Sequence, residues 1–307
     1  MTIEKKIDTF NNKIVKVYSI GGSYDPTTCC KIENEDDEDK ISISDYLKDM
    51  VDRNISQQLE ELVIGLWAYS FETSCQEAID FLVENKASFP KLKHFFCGEM
   101  TYEECEISWI YQCNYEKFLN AYDQLETFRV RGGTGLELGN VQMPSLKTLI
   151  IETGGLGTDV VQSIIDAKPS LQNLEHLEIW FGTEDYGAGA TPETIKDLLE
   201  GEPFPKLKFL GLKNSQIQDD IAEVLIGQEI VSRIETLDFS MGVLRDRGAQ
   251  FLFDNKELLK LKHLNCRYNF LSKDWKANLT LQFHKQNINL EDTQETDDDW
   301  FYVEVGE

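Results

Sequence analysis

One spacing of apolar positions recurs along the chain: an apolar residue, two variable ones, a second apolar residue, one variable one and a third apolar residue. It reads Leu59, Leu62, Ile64, then Leu92, Phe95, Cys97, then Leu125, Phe128, Val130, then Leu146, Leu149, Ile151. It continues with Leu174, Leu177, Ile179, then Leu207, Leu210, Leu212, then Ile234, Leu237, Phe239, and ends at Leu261, Leu264, Cys266. The second half of each block alternates with period two, which predicts a β-strand. Between blocks the apolar spacing becomes helical. Val160, Val161, Ile164 and Ile165 predict a helix over 158–167, and Ile221, Val224 and Leu225 predict one over 219–226. Ala249, Leu252 and Phe253 predict one over 247–253, and Thr191-Pro192 starts another over 193–199 with proline in the first turn. Shorter helices are expected over 77–83 and 115–121.

From Leu62 the blocks follow at 33, 33, 21, 28, 33, 27 and 27 residues. Residues 207–214 carry the L-x-x-L-x-L-x-N core of a leucine-rich repeat. One such unit cannot bury its own apolar stripe, so neighbours must stack. The expected fold is α/β: a leucine-rich-repeat solenoid, a horseshoe with parallel strands on the concave face and helices on the convex face. Residues 1–58 are expected to form an N-terminal cap, with a strand over 13–20, an acidic loop and a helix over 44–51. Residues 59–276 hold about eight repeats. Residues 277–307 form a C-terminal cap and acidic tail, with closing strands over 287–290 and 300–305. The whole is expected to be one continuous domain.

Charge narrows the function classes. The 307 residues carry a net charge of −25. Six acids fall in 33–40 (ENEDDEDK) and eight in 291–307, and the remaining body is still acidic. A nucleic-acid partner needs a basic field, and so does an anionic membrane, so both are disfavoured. The acidic runs are expected to be solvated loops, and 33–39 to be mobile and dispensable for folding. The start of the chain has no apolar secretory core, and no run approaches a membrane span. Seven cysteines without a C-x-x-C pair suit a reducing, cytoplasmic setting. Cys97 and Cys266 sit in the third apolar slot, where a small buried side chain fits.

Strand alternation also assigns the presented surface. The variable slots of each block point away from the core. They hold Glu61, Val63, Gly65, His94, Phe96, Gly98, Thr127, Arg129, Arg131, Thr148, Ile150 and Glu152 in the first four blocks. The last four supply His176, Glu178, Trp180, Phe209, Gly211, Lys213, Thr236, Asp238, Ser240, His263, Asn265 and Arg267. This face is near neutral on an acidic chain and has aromatic residues near its middle. Interface cores are enriched in aromatics and Arg. A partner-binding surface of Arg129, Arg131, Glu152, Glu178, Trp180, Tyr186, Lys213, Asp238 and Arg267 follows. A secondary acidic lip is formed by Glu103, Glu104, Glu106 and Trp109, although Ile107, Trp109 and Ile110 read more simply as packed inward.

Catalytic chemistry finds little support. His94, His176 and His263 share one slot but are several strands apart, too far for one metal ion, so no metal is expected. The glycine-rich turns at 132–135, 154–157 and 187–189 lack the Lys-Ser/Thr of a phosphate loop, so no cofactor is expected. They read as tight turns on one rim, where Arg131, Glu152, Trp180, Glu184, Asp185 and Tyr186 converge. The leading expectation is a non-catalytic module binding a protein or peptide. The alternative is a small-molecule or enzymatic site on the rim around Arg131, Glu152 and Trp180.

Several segments carry a resemblance: E-C-E-I-S-W-I at 104–110, R-G-G-T-G-L at 131–136, E-T-G-G-L at 152–156 and W-F-G-T-E-D-Y-G at 180–187. With the stretches 209–214 and 237–249, the chain resembles a family of bacterial leucine-rich-repeat proteins of unassigned function over roughly residues 59–275. That resemblance implies a helper in a modification pathway, because the family's genes sit near radical-SAM and ATP-grasp-type enzymes. Residues 267–272 depart from the family's histidine-rich pattern there, so the resemblance does not carry a histidine site to this chain. Asp246, Gly248 and Ala249 are similar to ribonuclease-inhibitor repeats, which implies architecture alone.

Overall fold

Period-two alternation becomes strand at every block in the computed structural model, which describes residues 3–34, 41–256, 260–294 and 300–306. The chain falls into two compact units, 2–149 and 150–306. In the first, β1 (Thr9–Phe10) and β2 (Lys13–Val17) form an antiparallel hairpin. Then β3 (Cys29–Ile32), β4 (Glu61–Ile64), β5 (His94–Cys97) and β6 (Thr127–Arg131) follow in parallel, each beside the last. Strand β7 (Thr148–Glu152) spans the division. The second unit carries β8 (His176–Gly182), β9 (Phe209–Ser215), β10 (Thr236–Asp238), β11 (His263–Asn265) and β12 (Asn287–Asn289), also parallel and in chain order.

Eight helices join these strands among the described residues. They are α1 (Ile43–Asp52), α2 (Gln76–Glu84), α3 (Glu116–Ala121), α4 (Thr158–Ala167), α5 (Pro192–Leu199), α6 (Gln218–Ile226), α7 (Asp246–Asp254) and α8 (Lys273–Gln282). Their starts are chemically marked. Ser42 caps α1 in a reciprocal box with Asp45, Thr191 caps α5 ahead of Pro192, and Ser272 accepts from the Trp275 N–H to cap α8. No helix among the described residues is long and apolar enough to cross a membrane.

The register is the one the apolar blocks require. Cys30, Leu62, Phe95 and Phe128 stand side by side on the face toward the helices. Phe95 and Phe128 stack at 6.2 Å, and Phe118 of α3 closes on Phe95 at 4.7 Å. In the second unit Leu177, Leu210, Leu237 and Leu264 form the matching row, all buried. Strand β3 is absent from the eight blocks because its register places Thr27 where Leu59 stands in the next repeat. Helix α8 buries only Leu279, so no apolar stripe announces it in the sequence.

Three expectations are corrected. The opposite strand face of the first unit is not presented to a partner at Val63 and Phe96. Ile7, Phe10 and Val15 of the N-terminal hairpin pack over these two residues and Cys29. Glu61 is buried there too, and its carboxylate receives Lys13 Nζ at 2.7 Å. The acidic run is not wholly a solvated loop either: Glu33 accepts from Lys6 at 2.8 Å and lies 2.7 Å from Lys31. Residues 35–40, which hold the rest of that run, lie outside the described residues. Burial works against the charged form of Glu33, but the hydrogen bonds and charges of Lys31 and Lys6 win and hold its carboxyl below the usual range.

Third, 300–306 is not a closing strand. It docks through polar contacts on Asn214, whose Nδ2 donates to the Val305 carbonyl at 2.5 Å and whose Oδ1 accepts the Val305 N–H at 3.0 Å. Asn214 is buried at φ +51°, a left-handed conformation that asparagine tolerates better than most residues. Beside it Val303 joins Val243 and Phe270 in an apolar cluster. Residues 295–299 of the acidic tail lie outside the described residues.

Candidate binding face

The side chains facing away from the helices in the second unit form rows across the strands. One row runs His176, Phe209, Thr236, His263, and the next runs Glu178, Gly211, Asp238, Asn265, with Trp180 beside Lys213. His176 and Phe209 stack face to face, with ring centres 3.9 Å apart and planes 5° apart. Gly211 leaves a gap in the second row. A Cβ there would stand 3.1 Å from Glu178 Cγ and 3.4 Å from Lys213 Cδ. Through that gap the Lys213 ammonium reaches Glu178 at 3.0 Å on one side and Asp238 at 3.7 Å on the other.

A polar ladder results. Glu178 also accepts the Trp180 indole N–H at 2.7 Å, and His176 Nε2 lies 3.4 Å from its other oxygen. Asn265 donates to Asp238 at 3.0 Å, while the Ser240 N–H bonds the second Asp238 oxygen at 2.9 Å. Lys213 stands over the Trp180 ring at 5.0 Å, a cation–π contact. Burial alone would raise the Glu178 carboxyl, but the Lys213 charge and hydrogen bonds from His176, Trp180 and Lys213 hold it far below the usual range. Burial would lower Lys213, and the Glu178 and Asp238 charges raise it instead. Both groups stay charged across neutral pH, so neither is poised to exchange a proton there.

A carboxylate whose folded pKa is depressed adds stability that is fully present above its unfolded value of about 4.3 and is lost as pH falls toward the folded value. Glu178→Gln removes that dependence. Urea midpoints measured from pH 7 down to pH 3 should fall less steeply for the variant than for the wild type. Parallel curves would mean that Glu178 is ordinary.

Trp180 and Asp238 are buried within the ladder, and Glu152 is buried on β7. Arg267 is half-buried and donates to Asp292 at 2.6 Å and to the Tyr268 hydroxyl at 2.9 Å. Tyr186 ends a short 3-10 turn, Glu184–Tyr186, and its ring approaches Gly306 of the docked tail segment. In the first unit, Arg129 lies over the Phe96 ring at 4.2 Å. Arg131 is buried and donates to the Met100 carbonyl at 2.6 Å. On the acidic lip, Glu104 bonds the Thr101 N–H at 2.8 Å and pairs with Lys6, whereas Glu103 and Glu106 are exposed. Ile107 and Ile110 pack inward as expected, but Trp109 is 55% exposed, a correction to the inward packing read for it.

The rim glycines serve close backbone approach. Gly155 and Gly182 form a bridge, and a Cβ on Gly182 (φ +74°) would fall 1.7 Å from the Gly154 carbonyl oxygen. Gly211 and Asn265 were not singled out from the sequence. The gap at Gly211 was legible only as the smallest side chain in an outward slot.

No protein-family model and no curated protein matches the chain. Among solved structures, an internalin of Listeria monocytogenes aligns over 87% of this chain and 72% of its own at 15% identity, with a TM-score of 0.38. A Bacteroides fragilis protein, determined by crystallography in a structural genomics programme, is 33% identical. The alignment covers 87% of this chain and 74% of that one, with a TM-score of 0.79. The chain therefore belongs to the family of this Bacteroides fragilis protein.

Proposed function

We propose that the protein is a leucine-rich-repeat solenoid serving as a non-catalytic module for a protein or peptide partner, bound on the strand face of residues 176–267. The observation that carries this reading is the ladder around Lys213. Its side chains are locked by one another while His176, Phe209, Thr236, Asn265 and Arg267 keep part of their surface in solvent. Groups held in advance lose little rotamer freedom on binding, so more of the contact energy appears as affinity. Parallel strands also present a broad surface, which suits an extended macromolecular partner.

The stacked pair His176 and Phe209 gives the sharpest test, because both rings keep part of their surface in solvent and His176 touches the ladder only through a 3.4 Å contact with Glu178. Arg131 and Trp180 are poor choices, since both are buried and bonded within the protein. The partner is first captured from the host lysate with wild-type protein and identified. The double variant H176A/F209A should then bind it about 30-fold more weakly, the loss of a hot spot of about 2 kcal/mol. A control, Lys196→Glu on the exposed side of α5, should bind as wild type. Unchanged affinity in the double variant would overturn the assignment of this face.

A further inference from the structure

Three thiols meet in the first unit. Cys75 is the N-cap residue of α2, Cys97 ends β5, and Cys113 precedes α3. Cys75 Sγ lies 3.4 Å from Cys113 Sγ and 3.7 Å from Cys97 Sγ. The Tyr115 hydroxyl is 3.7 Å from Cys75 Sγ and donates to Gln112 Oε1 at 2.7 Å. Gln112 is fixed in turn by donating to the Arg131 carbonyl at 2.6 Å. The cluster is therefore held from several elements.

Cys75 differs from the other two in its surroundings. It lines a cavity of about 260 Å³ together with Ser42, Trp67, Ala68 and Ala78, large enough for a small peroxide. It is also the N-cap residue of a nine-residue helix, whose N-terminal partial positive charge favours a thiolate. Burial opposes ionisation, but the hydrogen-bond contacts with Cys113 and Cys97 outweigh it and lower the Cys75 thiol. Burial and the neighbouring Cys75 raise Cys113 and Cys97, so these stay protonated. The arrangement sets one nucleophile against a resolving thiol at van der Waals contact.

We propose that Cys75 and Cys113 form a dithiol site that reacts with a small hydroperoxide, with Cys75 as the attacking sulfur and Cys113 as the resolving one. In the first step Cys75 Sγ attacks the terminal peroxide oxygen. The O–O bond breaks, the leaving oxygen takes a proton and departs as an alcohol or water, and Cys75 becomes a sulfenic acid. In the second, Cys113 Sγ attacks Cys75 Sγ, the S–O bond breaks, and the hydroxyl leaves as water with the Cys113 proton. Two thiols lose two electrons and the peroxide gains two. The sulfurs close from 3.4 Å to a bond of about 2.0 Å. A dithiol reductant returns the pair to the reduced state.

The test uses the full chain and hydrogen peroxide. Folded protein is titrated with peroxide, quenched with an alkylating agent and mapped by mass spectrometry without reduction. The expected result is loss of two of the seven thiols, with a 75–113 cross-linked peptide forming before any other cysteine is oxidised. In Cys113→Ser, a cyclic-dione probe should label Cys75 and no cross-link should form. If that variant folds poorly, the order of thiol oxidation in unmutated protein still decides the matter. Cys75 remaining reduced while other cysteines oxidise, or a Cys75–Cys97 cross-link in its place, would overturn the assignment.

Discussion

Lys31→Met should lower stability by about 3–5 kcal/mol, the usual effect of removing one partner from a buried ion pair. Lys31 Nζ stands 2.5 Å from Glu99 and 2.7 Å from Glu33, and the Glu99 side chain is 0% exposed. Glu99 also accepts the Ile7 N–H at 2.9 Å, so it ties the N-terminal segment to the strands. Methionine fills the same space but supplies no charge. It leaves Glu99 as an uncompensated carboxylate that water cannot reach, and desolvation of such a charge sets the size of the effect. Urea denaturation monitored by circular dichroism measures the loss. Because Ile7 and Phe10 pack beside this site, limited proteolysis should also cut within 3–17 faster in the variant. The double variant K31M/E99L separates charge from packing. Removing both partners takes away the stranded carboxylate and should recover most of the loss. A melting curve for Lys31→Met that matches the wild type would show that the pair is not held in a dry site.

Truncating the leucine row of the second unit is the other large effect. Leu210 and Leu237 are both fully buried and stand beside each other in register on β9 and β10. Leu210→Ala and Leu237→Ala should each cost roughly 2–5 kcal/mol, the transfer term plus the cavity left when neighbours relax only in part. Adjacent strands share the cavity, so the double variant should depart from the sum of the two single ones. Thermal melts of both variants within error of the wild type would refute the strand register itself. Every assignment of a side chain to one strand face or the other depends on that register.

The local pattern carried a great deal. The eight strands β4 to β11 and their facing follow from the second and third apolar slots, because alternation along a strand is a property of neighbouring residues. Thr158–Ala167 was legible to the residue from its apolar spacing, and Pro192–Leu199 from its cap and first-turn proline. Strand β3 was missed where Thr27 takes the place of leucine, since the apolar repeat is weakened at that point.

Apolar spacing is thus enough for the strands of the eight blocks, their parallel order and the rows of buried leucines, all of which rest on contacts repeated at short, regular intervals. Tertiary structure alone decided what covers those strands and what their outward residues do. Phe10 meets Phe96, Lys31 meets Glu99, Asn214 holds Val305, and Cys75 meets Cys113. Each of these pairs is separated by between 38 and 91 positions. Lys213 became the centre of a ladder instead of an open cation because Gly211 left room for it to reach carboxylates on both neighbouring strands. Apolar periodicity encodes which face of a strand is buried, but side-chain pairing across the fold depends on which distant segments arrive and how much space they leave, and no local pattern records either.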